Sequence, residues 1–128
     1  MNKLKFLALI LVACLFVEQA IAKTGIYRKL ERQEEISVIS NIRNILLNTQ
    51  EKVTACLKNG SNNATCYCRF KKNYVYLDRL TKKMFETYPD WEFDKELRYV
   101  EQDKLKFISP NELVRQIDFK FRCAYTKF

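Results

Sequence analysis

Cys66 and Cys68 stand one residue apart in the stretch Asn63-Ala64-Thr65-Cys66-Tyr67-Cys68-Arg69-Phe70-Lys71-Lys72, in a chain that holds no histidine. Three chemistries use cysteines at short spacing. A structural zinc site needs four Cys or His ligands, usually in pairs two to four residues apart. Here the one close pair has a single residue between its members and no histidine can complete a set, so no metal is expected. A redox pair gains support from Arg69, Lys71 and Lys72, which with a helix N-terminus near Cys68 would stabilise a thiolate. It lacks the two-residue spacing and the βαβ setting of the familiar oxidoreductases. The third chemistry is a pair of staples, in which each cysteine reaches a distant partner among Cys56, Cys66, Cys68 and Cys123. This is the reading favoured, with Cys56 to Cys68 and Cys66 to Cys123 preferred over Cys56 to Cys66 and Cys68 to Cys123. A bond from Cys56 to either neighbour closes a loop of roughly ten residues, worth about 2–3 kcal/mol by chain entropy.

Other chemistry is thinly represented. Without histidine there is no Ser-His or Cys-His nucleophile pair, and the commonest general base is missing. No Gly-rich phosphate loop or G-x-S-x-G elbow occurs. Asp90, Glu92, Asp94 and Glu96 gather around Trp91 and could in principle form an acid–base pair, but their position after Pro89 reads as a solvated turn. The chain is therefore expected to be non-enzymatic and to use no cofactor.

The basic residues point to binding. The whole chain carries a net charge of +8. Lys72, Arg79 and Lys83 fall at helical spacing with Tyr76 between them, flanked by Lys71 and Lys82 and partly offset by Asp78 and Glu86. Such a stripe attracts phosphate-rich surfaces, among them nucleic acid, lipopolysaccharide and anionic lipid. The plainer interpretation is a solvated helix face opposite Phe70, Tyr74, Leu77 and Met84. Trp91, Phe93, Tyr99, Phe107, Phe119 and Phe121 crowd the last third and should mostly be core. Any left exposed beside arginines would resemble a protein-binding hot spot. The Asn59 and Asn63 glycosylation sequons are read as incidental.

The elements that must position these residues follow from periodicity. Ile36, Ile39, Ile42, Ile45, Leu46, Val53 and Leu57 line one face of a helix over 34–58, with Glu34 and Glu35 in its first turn and Asn59-Gly60 as its stop. The segment 57–68 reads as a loop. A second helix, opened near Cys68, buries Phe70, Tyr74, Leu77, Leu80, Met84 and Tyr88, and Pro89 ends it. The two helices make an antiparallel hairpin. Strands at 97–100 and 105–108 form a β-hairpin around 101–104. Ser109-Pro110-Asn111-Glu112 is a capping box that starts a third helix, burying Leu113, Val114 and Ile117. That helix runs to about Asp118, with an extended tail after it. Residues 23–33 are a loose polar lead-in from which Ile26, Tyr27 and Leu30 can dock.

The first 22 residues have the pattern of an export signal. Lys3 and Lys5 precede an apolar run over 6–17 that is too short to span a bilayer, and Ala20-Ile21-Ala22 supplies a cleavage site. A membrane anchor and a lipoprotein box at Leu11-Val12-Ala13-Cys14, with Cys14 lipidated, are the alternatives. The C-x-C pair opening a helix that ends in Tyr88-Pro89-Asp90-Trp91 resembles a group of short, exported, uncharacterised bacterial proteins over about Cys56 to Cys123. That resemblance implies an α-rich stapled fold and a periplasmic or secreted location, and it carries no activity. The reading is one helix-rich α+β domain over 23–128 with two disulfides. Its expected function is a binding module for a protein partner (an inhibitor, adaptor or secreted effector). A polyanion or membrane-surface binder and a thiol-disulfide protein are the alternatives.

Overall fold

Helix α1 spans Gln33–Lys58 and buries Ile36, Ile39, Ile42, Leu46, Val53 and Cys56 along one face, as the three- and four-residue spacing requires. Glu34 and Glu35 lie in its first turn and Lys58 in its last, each favourable to the helix dipole. The stop is Gly60, whose φ of +92° lies in the left-handed region that glycine enters without steric cost. The computed structural model describes residues 26–118 and Cys123.

The expected loop over 57–68 contains a short helix, α2, at Asn63–Arg69. The Asn62 side chain starts it by accepting a 2.8 Å hydrogen bond from the Thr65 N–H, an N-cap. Cys68 thus sits in the last turn of α2 and does not open the long helix. That helix, α3, spans Lys71–Thr87, buries Tyr74, Leu77, Thr81 and Met84, and stops before Pro89 as expected. A 3-10 turn at Pro89–Phe93 follows. Near one end of the pair the Asn73 side chain donates to Thr49 Oγ1 at 3.4 Å. Near the other, Ser37 and Thr87 share a cleft. So α1 and α3 run antiparallel.

Two disulfides anchor α2, Cys56–Cys66 to α1 with Cα atoms 5.6 Å apart and Cys68–Cys123 to the C-terminal end of the chain with Cα atoms 5.4 Å apart. This corrects the preferred pairing. The reason is α2 itself: residues two apart on a helix point to nearly opposite faces. Cys66 turns inward, wholly buried against Cys56, while Cys68 is left for Cys123. Chains with such bonds fold in an oxidising compartment outside the cytoplasm.

Strands β2, Glu96–Glu101, and β3, Lys104–Ile108, form the expected hairpin, with Leu97 opposite Ile108 and Glu101 opposite Lys104. Gln102 and Asp103 turn the chain at φ of +51° and +61°, the two positive values of a tight hairpin turn whose twist matches the strands. From Ile26 onward the lead-in is not loose. Tyr27–Lys29 forms β1, which pairs in parallel with β2, giving a sheet in the order β1-β2-β3. The Lys95 N–H donates to the Ile26 carbonyl at 3.0 Å and the Leu30 N–H to the Arg98 carbonyl at 2.7 Å. Leu30 docks in the core as expected, whereas Tyr27 stays in solvent.

Helix α4, Pro110–Ile117, begins at Ser109, whose hydroxyl accepts from the Glu112 N–H at 3.4 Å, the N-cap half of the expected capping box, while the Glu112 carboxylate meets Gln116 and Arg115. Leu113 and Ile117 are buried but Val114 is exposed. One position along a helix is a rotation of about 100°, which carries Val114 off the face that Leu113 and Ile117 share. Of the expected extended tail after Asp118 only Cys123 is described; the rest, with Phe119 and Phe121, lies outside the described residues. Tyr74, Trp91, Leu97 and Tyr99 meet the inner faces of α1 and α4 in one core. Among the described residues no helix is long and apolar enough to cross a membrane.

Candidate binding surfaces

The sheet has two faces because side chains alternate along a strand. Leu97 and Tyr99 point inward. The polar groups beside them are matched across elements. The Arg28 guanidinium donates through Nε to Asp94 Oδ2, and through Nη2 to Oδ1 at 3.4 Å. Asp94 is 3% exposed. The acidic cluster around Trp91 is therefore not wholly a solvated turn, since Asp94 is a buried anchor for β1. Both of its oxygens are engaged by Arg28, which leaves Asp94 a structural carboxylate. Glu101 accepts from Lys106 Nζ at 2.7 Å and from the Ser40 hydroxyl on α1. These two hydrogen bonds hold its carboxyl below the ordinary carboxylate value.

One residue along each strand, the outer face is different. Arg98 lies at its centre, its guanidinium carbon 4.4 Å from the Tyr27 ring centre and 5.6 Å from that of Phe107. Arg98 Nη2 also reaches Glu96 Oε2 at 3.4 Å. Tyr27, Val100, Leu105 and Phe107, all large and hydrophobic, are 48–58% exposed around it. A cation held between two aromatic rings has little freedom left to lose on binding, and arginine with aromatics is the composition in which binding energy concentrates. Of the aromatics expected in the core, Trp91 and Tyr99 are there, while Phe93 and Phe107 are not. Phe107 was noted in the sequence. Tyr27 was expected to dock on the core, and Arg98, Val100 and Leu105 were not singled out, although the alternation within the two hairpin strands places these three with Phe107.

The basic stripe is a second surface. Lys72, Tyr76, Arg79 and Lys83 are all exposed on α3. Lys72, Tyr76 and Arg79 come together with Lys71 and Val75 around a shallow depression of about 490 Å³. Lys82 is committed to Asp78 at 2.9 Å. Lys83 departs from the group and lines a cleft between α3 and α1.

Cys66 and Cys68 are bonded to different partners and not to each other. Among the described residues no cluster of three or more His, Cys, Asp or Glu side chains could hold a metal ion. No protein-family model, curated protein or solved structure matches this chain.

Proposed function

We propose that the chain is an exported, non-enzymatic binding module that engages a protein partner through the outer face of its sheet. The observation that carries this is Arg98 layered between Tyr27 and Phe107 on an exposed face, with Val100 and Leu105 beside it. The partner's matching surface is apolar at its centre, with a carboxylate placed for the guanidinium of Arg98. Such a contact draws most of its energy from a few desolvated side chains, so it should tolerate salt. The test is cross-linked capture from the medium or envelope of the producing cell, using wild type, an Arg98→Ala/Phe107→Ala variant and a Lys72→Ala/Arg79→Ala variant. The reading requires a partner that the first variant loses and the second keeps. Loss in the second variant alone would sink it.

A second reading rests on the depression around Tyr76, where Lys71, Lys72 and Arg79 stand together. A polyanion bound there through three phosphates would lose roughly 40-fold in affinity between 50 and 200 mM salt. Heparin retention that is insensitive to salt, or equal in the Lys72→Ala/Arg79→Ala variant, would exclude it.

Export rests on the pattern of the first 22 residues and agrees with the two disulfides. Intact mass of the naturally produced protein checks it. A chain starting at Lys23, with four thiols alkylated only after reduction, is the expected result. A lipidated Cys14 would replace cleavage after Ala22, and a free thiol before reduction would reopen the redox alternative.

A further inference from the structure

The cleft between α1 and α3 has a composition of its own. Its volume is about 460 Å³, within the range of small-molecule sites. Val38 and Ile42 from α1, with Leu80 and Met84 from α3 and Tyr88 just past its end, give it an apolar floor. Ser37, Asn41, Thr87 and Lys83 form its rim. The gap has a local cause. At this end of the hairpin α1 presents Ser37 and Asn41, too short and polar to interdigitate with α3, so apolar atoms of the floor lack neighbours on one side. A hydrocarbon guest would restore those dispersion contacts.

The charge at the mouth selects the guest. No carboxylate lines the cleft. Lys83 has no ion-pair partner among the described residues, in contrast to its neighbour Lys82, which is bound to Asp78. From the apolar floor and the single cation on the rim, we infer that the cleft binds a medium-chain fatty acid, its alkyl chain along Val38, Leu80 and Met84 and its carboxylate at Lys83. This site is separate from the outer sheet face and does not depend on the protein-binding reading.

The molecule carries its own reporter. Trp91 is the chain's sole tryptophan and stacks on Tyr88 with ring centres 4.1 Å apart. Since Tyr88 lines the cleft, a guest that touches its ring changes the surroundings of the indole.

The experiment titrates the intact disulfide-bonded protein with dodecanoate below its micelle concentration, followed by Trp91 emission and by calorimetry. Dodecanol and dodecyltrimethylammonium serve as neutral and cationic probes of the same chain length. Saturable dodecanoate binding is expected, with dodecanol weaker by about tenfold, the scale of one charge-assisted hydrogen bond. The cationic probe should give no response. Lys83→Gln, an exposed position whose change leaves the core intact, should bring dodecanoate down to the level of dodecanol. Asn41→Phe, also at an exposed position, should fill the mouth and abolish both. The inference is overturned if wild type does not respond to dodecanoate, or if Lys83→Gln binds it as tightly as wild type. Equal binding of the cationic probe, or calorimetric heat without a Trp91 response, overturns it as well.

Discussion

On the inner face of the sheet, Leu97 and Tyr99 are almost fully buried, and Arg28, Glu101 and Lys106 each find a partner. One residue along the same strands, the outer face exposes Tyr27, Val100, Leu105 and Phe107 around Arg98. Both faces combine apolar bulk with charge, so composition does not separate them. The difference is what lies opposite. The inner face meets α1, which supplies Ser40 for Glu101 and the Ile39 and Ile42 side chains for the core. The outer face meets solvent, and its cation is held by aromatic rings in place of a buried carboxylate. A fold requires one apolar face per sheet to be covered; a second one, arranged around an arginine, is surplus to folding and suited to recognition.

Paired substitutions sharpen that contrast. Tyr99→Ala empties a core position whose hydroxyl also accepts from Arg43 Nη1 at 3.4 Å, and should destabilise the fold by about 3–5 kcal/mol. Phe107→Ala on the outer face should cost about 0.5–1 kcal/mol, the scale of an exposed cation–π contact. Denaturant melts of the two variants, with partner capture measured alongside, would separate a folding face from a binding face. Equal losses of stability would break the comparison, because Phe107 would then belong to the core in energetic terms.

The smallest effect is expected from acid. Hydrogen bonds from Lys106 and Ser40 lower the Glu101 pKa on folding from its ordinary value of 4.5. Ionised Glu101 therefore stabilises the fold. Its contribution is complete above the unfolded value and is lost as pH falls through the lower folded one. Glu101→Gln should melt below wild type at neutral pH, and the gap should narrow as pH drops below 4.5. A gap that stays constant down to pH 3 would mean that the side chain acts through packing and not through its charge.

Much of this architecture was legible from local signals. The apolar spacing of α1 and α3, Gly60, Pro89 and the Ser109 cap each act over a few residues, so the sequence alone determined α1, the end of α3, the start of α4 and the β-hairpin; it missed α2 and with it the start of α3 at Lys71. The basic stripe was also legible, because Lys72, Tyr76 and Arg79 share one helix. Tertiary structure decided the rest. β1 pairs with a strand nearly seventy positions away in the chain, and nothing within Tyr27–Lys29 announces that partner. The disulfide connectivity depended on whether Cys66 and Cys68 lie in a loop or on opposite sides of a short helix. Asp94 looked solvated until Arg28 was brought against it. The outer face follows the same rule. Alternation told which residues share a side of β2 and β3, but only the packing of α1 against one side left Arg98 and its rings on the other.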